Sequence, residues 1–219
     1  YIDDKLVTPG TALGAFTSLQ IPVPAGSHDI VVMKDKYYPW AKTVEVDGGE
    51  ILTFSPFHLT IATNGVVLPK NDPEYKTAKD ALAAMKVPTS EAPLTSADGV
   101  VEIFIRKTDT ELGAELVARV KDGQEIPQSF CNESCKNEKV VTALSAEVRG
   151  IAFLPGHNDV ILLAVQDGVF AIEVDNRGNH QNFQILYRGI RPIFALSGGV
   201  TYVEDNDSVF IVYSGPSTQ

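Results

Sequence analysis

Positive charge is scarce in this chain: 18 Lys and Arg stand against 28 Asp and Glu, a formal net charge of -10 at pH 7. Nucleic-acid binding takes most of its affinity from clustered Lys and Arg that release phosphate counterions. No basic stripe occurs anywhere, so nucleic acid is set aside as a partner. Long apolar runs are missing as well. A bilayer-crossing helix needs about twenty consecutive apolar residues, and none of the 219 residues belongs to such a run. We expect any membrane tether to lie in a segment outside this sequence. Histidine is sparse, and His28, His58, His157 and His180 fall in separate segments with no Ser or Cys elbow beside them. Nucleophilic catalysis needs a nucleophile within reach of its base, and glycoside hydrolysis needs two carboxylates facing across a cleft. Nothing in the sequence points to either, so we expect a non-catalytic protein, with an unrecognised hydrolase as the remotest alternative.

Cysteine is nearly absent. Cys131 and Cys135 are the only two, inside the polar run Phe130 to Asn137. Structural zinc usually takes four ligands, and no His or further Cys lies nearby. Two readings remain: a small disulfide loop, which suits an oxidising compartment, or two free thiols on a cytosolic loop. We expect the disulfide and an extracytoplasmic location. The chain opens at Tyr1, inside what reads as a strand, with neither an initiator Met nor a signal region. An upstream segment that exports or anchors the protein is the corresponding expectation.

What the sequence does have is β-pattern. Apolar residues at 44% are ordinary for a globular core, and the length suits two small domains. From Tyr1 to about Leu59, short alternating runs are separated by Pro and Gly. His28 to Lys34 reads as a strand after the turn chemistry of Val23 to Ser27. Ala41 to Val46 reads as another, with Lys42, Val44 and Val46 on one face. Asp47-Gly48-Gly49-Glu50 then turns the chain into Ile51 to Pro56.

Pro22 to Lys34, Tyr37-Tyr38-Pro39 and Lys42 to Glu50 together resemble the PEGA domain: a Pro-Gly turn, a V-x-V-x-K strand, a Gly-Tyr-x-Pro corner and a KTV return strand. Tyr1 to Val7 with Thr8-Pro9 is similar to the family's first strand and turn. Lys36 stands where the family's corner has Gly. A Lys at positive φ costs on the order of 1 kcal/mol, so a different turn is expected there. The resemblance implies an accessory module of the cell envelope and carries no catalytic residues with it.

Residues 60–97 read as a connector with one helix. Asp72 suits the N-cap, Pro73 the first helical position, and Tyr75, Ala78, Leu82 and Met85 recur at helical spacing, a face that needs a sheet to pack on. Val87 to Pro93 reads as an extended linker. From Asp98 the pattern is β again: Val100 to Ile105 and Ala114 to Val120 form a hairpin around Lys107 to Glu111. Then Val148 to Phe153, Asp159 to Val165, Gly168 to Val174 and Asn182 to Tyr187 form one four-stranded, blade-like unit, and Ile190 to Tyr213 begins another. Ala152 to Gly156, Val165 to Arg177 and Asn182 to Gly189 resemble propeller modules that follow PEGA domains in bacterial envelope proteins.

The expected architecture is mainly β: a small antiparallel β-sandwich domain (1–59), a connector with one helix (60–97), an incomplete propeller-like or open antiparallel β domain (98–214), and a tail (215–219). Too few blades are present to close a ring. Strand edges near Val101 to Ile105 and Val209 to Tyr213 therefore have no obvious partner, and we expect the connector helix and the N-terminal domain to cover at least one of them, leaving the other as a contact site. A protein partner or a second copy would add strands at a free edge. Candidate ligand residues are Tyr37, Tyr38 and Trp40, an aromatic corner open to cell-surface glycan, although a domain this small also needs such side chains for its core. Asp175, Asn176, Asn179 and Asn182 around Gly178 offer hard oxygens to Ca²⁺, as do Glu204 to Asp207. Both stretches equally have ordinary turn composition. No other cofactor is expected.

Cys131 and Cys135 close a very short loop, so their disulfide should add only about 2 kcal/mol. Alkylation without reductant, followed by intact mass, should leave both sulfurs unlabelled; two labelled thiols in the unreduced protein would refute the bridge.

Overall fold

The computed structural model describes residues 1–7, 19–109, 113–132 and 134–213. The Thr8-Pro9 turn, Thr110 and Glu111 of the hairpin turn, Glu133 of the cysteine loop and the 215–219 tail lie outside the described residues. The chain is mainly β with a single α-helix.

Strands β1 (Gly26–Val32) and β2 (Trp40–Val46) pair antiparallel, with Val32 opposite Trp40. Ile2 bridges to Ile30 and Tyr37 to Thr60. In place of the small sandwich expected over 1–59, the described residues form a two-stranded sheet with single bridges at its margins. Two strands cannot enclose a core, and the apolar face of this sheet is buried by the rest of the chain. Lys36 takes φ +66, so the corner before Tyr37 keeps its left-handed residue, contrary to the turn expected from the Lys. Two hydrogen bonds, Tyr37 N–H to the Lys34 carbonyl and Ile61 N–H to the Lys36 carbonyl, hold the corner and offset the backbone cost.

The connector supplies β3 (Asn64–Leu68) and α1 (Pro73–Ala84). Asp72 caps the helix by accepting from the Glu74 N–H at 2.8 Å, and Pro73 opens the first turn. Three four-stranded antiparallel sheets follow. Sheet A holds β4 (Leu94–Thr95), β5 (Val101–Lys107), β6 (Ala114–Val120) and β7 (Glu138–Leu144) in chain order. Sheet B holds β8 (Gly150–Phe153), β9 (Val160–Val165), β10 (Gly168–Glu173) and β11 (Phe183–Arg188), also sequentially. Sheet C holds β12 (Ile193–Ser197), β13 (Val200–Asp205) and β14 (Ser208–Tyr213), and its fourth strand is β3 from the connector. The hairpin loops of sheet C are two-residue turns, Gly198-Gly199 and Asn206-Asp207, with both central residues at positive φ, the turn whose twist matches a hairpin.

The edges near Val101 to Ile105 and Val209 to Tyr213 are both covered within the chain, so neither is the contact site expected for one of them. β14 pairs along its length with β3, from Val209 opposite Leu68 to Tyr213 opposite Asn64. β5 is covered by β4 and then by Pro88 and Thr89, whose backbones meet Ile105. The connector therefore works as two edge strands as well as a helix.

The sheets lie in a row. Alternation along sheet B sends Ile151, Ile161, Leu163 and Ile172 toward Val101, Ile103, Leu116 and Ala118 of sheet A. Val160, Leu162, Ala164 and Ala171 point the other way, toward Phe194, Val203 and Val212 of sheet C. Burial on both faces explains the nearly unbroken apolar runs of β9 and β10. The far face of sheet C is covered by α1, whose Ala78 and Leu82 bury against Ala195, Tyr202 and Val209. The far face of sheet A carries Glu102 paired with Arg119 at 2.6 Å, and Arg106 paired with Glu115 at 2.8 Å and with Glu138 at 2.6 Å. These cross-strand pairs lie over the buried Phe104 and Val117. With a helix at one end and a charged face at the other, the three described sheets make an open stack and close no ring.

Candidate functional site

β2 alternates Trp40, Lys42 and Val44 inward with Ala41, Thr43 and Glu45 outward. Its inward face meets the end of β10 and the turn into β11. Trp40 is fully buried in the cluster shared by sheets B and C, and its indole N–H donates to Glu173 Oε1 at 3.2 Å. Lys42 is 1% exposed. Its three ammonium protons face three acceptors: the Asp175 carbonyl at 2.5 Å, the His180 carbonyl at 2.8 Å, and Glu173 Oε2 at 3.1 Å. A buried ammonium is tolerable only when each donor is met in this way.

Two amide side chains on one face of β11 and its lead-in complete the grip. Asn182 accepts from the Ala41 N–H and donates to the Ala41 carbonyl, both at 3.0 Å. Gln184 accepts from the Leu59 N–H at 2.6 Å and donates to the Phe57 carbonyl at 3.0 Å. Each amide thereby imitates a strand residue for backbone groups that face away from any neighbouring strand. Gly178, at φ +67, lies so close to β2 that a Cβ there would stand 1.5 Å from the Thr43 carbonyl oxygen. Only glycine fits.

The oxygens proposed for Ca²⁺ are engaged within this junction. Asp175 binds Arg177 through both carboxylate oxygens, and Arg177 goes on to the Thr53 carbonyl at 2.8 Å with its guanidinium over the Phe54 ring. Asn176 Oδ1 accepts from Lys139 at 2.6 Å, while Asn179 turns the chain at φ +54. No group of three or more His, Cys, Asp or Glu disposed around a metal position occurs among the described residues. Of the second acidic stretch, Glu204 pairs with Lys79 on α1, and Asp205 accepts from the Ile190 N–H and the Tyr187 hydroxyl. Of the aromatic corner, Trp40 points inward and Tyr38 is partly buried beside it, while the ammonium of Lys34 lies over the Tyr37 ring at 4.2 Å. A glycan at this corner would meet Tyr37 and the outer part of Tyr38 only.

Two titrating groups feel the junction. Burial lowers the Lys139 ammonium to about 8. Burial, reinforced by the Glu173 carboxylate, raises Asp159 to about 6. Elsewhere His28 bridges Asp3 at 2.8 Å and the Pro24 carbonyl at 2.9 Å, and these acceptors raise its pKa.

One edge is open. β3 is one of the two outer strands of sheet C, β12 being the other, and carries no charge. Val66 and Val67 point to opposite faces, yet each is 55% exposed, and Ile61 just before them is 57% exposed. Among the described residues, no backbone hydrogen bond reaches 64–68 other than the ladder to β14. Sequence reading placed these residues in a connector and missed the strand; the Val66-Val67-Leu68 run was its only signal.

A PEGA-domain family model matches residues 4–59, about a quarter of the chain. No curated protein and no solved structure matches it. The matched stretch contains β1, β2 and the Trp40 and Lys42 anchors. Cys131 and Cys135 are joined in a disulfide, and the bridge and the match both point to an extracytoplasmic setting. No described helix is long and apolar enough to cross a membrane.

Lys42→Met should cost about 3–5 kcal/mol, because it leaves Glu173 and two carbonyls buried without their donor. Urea unfolding followed by the emission of Trp40, the sole tryptophan, measures this; a loss under about 1 kcal/mol would show that the ammonium is not structural. Asp159 has a folded pKa above its unfolded value. Its ionisation therefore opposes folding above about pH 6, and the penalty fades as pH falls toward 4. Asp159→Asn should stabilise the protein by up to about 2 kcal/mol at pH 7 and leave it nearly unchanged at pH 4; equal effects at both pH values would contradict this.

Proposed function

We propose that this chain is a non-catalytic interaction module of the cell envelope, which takes up a partner by strand addition along the open edge of β3. The observation that carries the reading is the edge itself: five residues without charge, Val66 and Val67 among them exposed, with exposed Ile61 just before, on a four-stranded sheet. Natural sheets protect such edges with Lys, Pro or bulges. An edge that has none of these suits β-augmentation, in which backbone hydrogen bonds supply affinity and alternate side chains supply selectivity. The PEGA match and the disulfide support a location outside the cytoplasm.

A second copy is the simplest partner, since two β3 strands meeting antiparallel about a two-fold axis place the same uncharged run on each other. Hydrogen exchange and sedimentation velocity test this together. The amides of β3 that point away from β14 should exchange quickly in dilute monomer and slow as concentration rises. Val66→Lys should abolish that slowing with the fold intact. Slow exchange of those amides in the monomer would mean that the edge is covered within the chain, and strand addition would have to be given up.

A further inference from the structure

A second site lies away from β3, where two chain segments meet the β9–β10 turn. Arg149 is held there by its backbone N–H, which donates to the Ala164 carbonyl at 2.9 Å. Arg191 is held by its own N–H, which donates to the Gln166 carbonyl at 2.6 Å. The two arginines, with Gln166 and Glu147, line an open pocket of about 130 Å³, several times the roughly 30 Å³ that a water occupies in the liquid.

Three arginines elsewhere in the chain are held by close carboxylates. Arg106, Arg119 and Arg177 each face a carboxylate at 2.8 Å or less. The Nε of Arg149 is buried without any partner, although the chain carries a large excess of acid. A guanidinium withdrawn from water normally finds an acceptor. Arg191 has φ +62. Apart from Lys36, the other non-glycine residues at positive φ are Asp or Asn, which tolerate that region better. A long cationic side chain at a φ where glycine would be less strained, beside an arginine whose Nε is buried without a partner, places two positive charges at one opening. Glu147 meets Arg191 at 3.3 Å, but the two side chains are 71% and 61% exposed, a contact of little strength. It already shows a carboxylate in the place a ligand would take.

We propose that this pocket binds a small oxyanion, a carboxylate or phosphate group of a ligand, clamped between the guanidinium groups of Arg149 and Arg191 with Gln166 as a neutral donor. Planar guanidinium forks suit both chemistries. The site stands independently of the β3 edge and does not rest on strand addition.

The test is titration of the ¹⁵N-labelled full chain at low salt, following the arginine Nε–H signals, with N-acetylglycine as the carboxylate, inorganic phosphate as the alternative, and N-acetylglycinamide as the neutral control. At least one anion should shift the Arg149 and Arg191 signals saturably, with a Kd of roughly 1–10 mM, and the amide should not. Which anion does so identifies the class. Arg191→Asn, which keeps a residue tolerant of positive φ, should weaken binding at least tenfold, as should Arg149→Met. Glu147→Gln should tighten it several-fold by removing the competing carboxylate. If Arg149→Met fails to fold, Arg191→Asn decides alone. No saturable shift with either anion, or undiminished binding in Arg191→Asn, would overturn the proposal.

Discussion

A lysine ammonium buried almost completely is the constraint on which the arrangement turns. Lys42 cannot sit at the interface of β2 and sheet B unless the Asp175 and His180 carbonyls and the Glu173 carboxylate are all in place. Those acceptors exist only once β10 has ended and the chain has curled back through the Gly178 turn. The turn in turn needs β2 against it, because Gly178 touches the Thr43 backbone. Arg177, Asn182 and Gln184 extend the same mutual dependence to residues 41, 53 and 57–59. A buried ionic centre contributes less net stability than an apolar one of the same volume. It does enforce one register, since a slip of β2 by a single residue would send Lys42 to the solvent face and leave Glu173 buried without its cation.

Much of the fold was legible. The 3.6-residue spacing of Tyr75, Ala78 and Leu82, with Asp72 and Pro73 ahead of it, located the helix and the face it buries. Alternation and turn chemistry marked the strands of sheet B, and the PEGA-like run marked β1 and β2. β7 was missed because Glu138 to Leu144 mixes charge with Val-Val-Thr in a pattern that declares no period. β3 was missed because five residues are too few to show one. The pairing of β3 with β14 joins segments some 145 residues apart in sequence, and no local signal reports on that.

The junction was half legible. Strand alternation put Lys42 on the face of Val44, but a lysine in that position reads as a solvated side chain until its acceptors are known. In the sequence the polar stretch from Asp175 to Asn182 reads as ordinary turn composition, with Ca²⁺ as the alternative. The positive charge there comes from Lys42, Arg177 and Lys139 of the chain itself. Acidic and amide side chains look the same to a reader of sequence whether they await a cation from solution or from a distant strand.

The return of β3 to the last strand of sheet C also bears on how the chain leaves a ribosome or a translocation channel. Sheet C lacks its outer strand until β14 has emerged, although β3 has been waiting since early in synthesis. The Lys42 acceptors likewise are not all available until residue 180 is out. Folding dominated by such distant pairings is slow, and an N-terminal third that cannot lock by itself remains threadable for most of that time. A protein built in this way stays compatible with passage across a membrane as an extended polypeptide, and becomes a single locked body only when its final hairpin arrives.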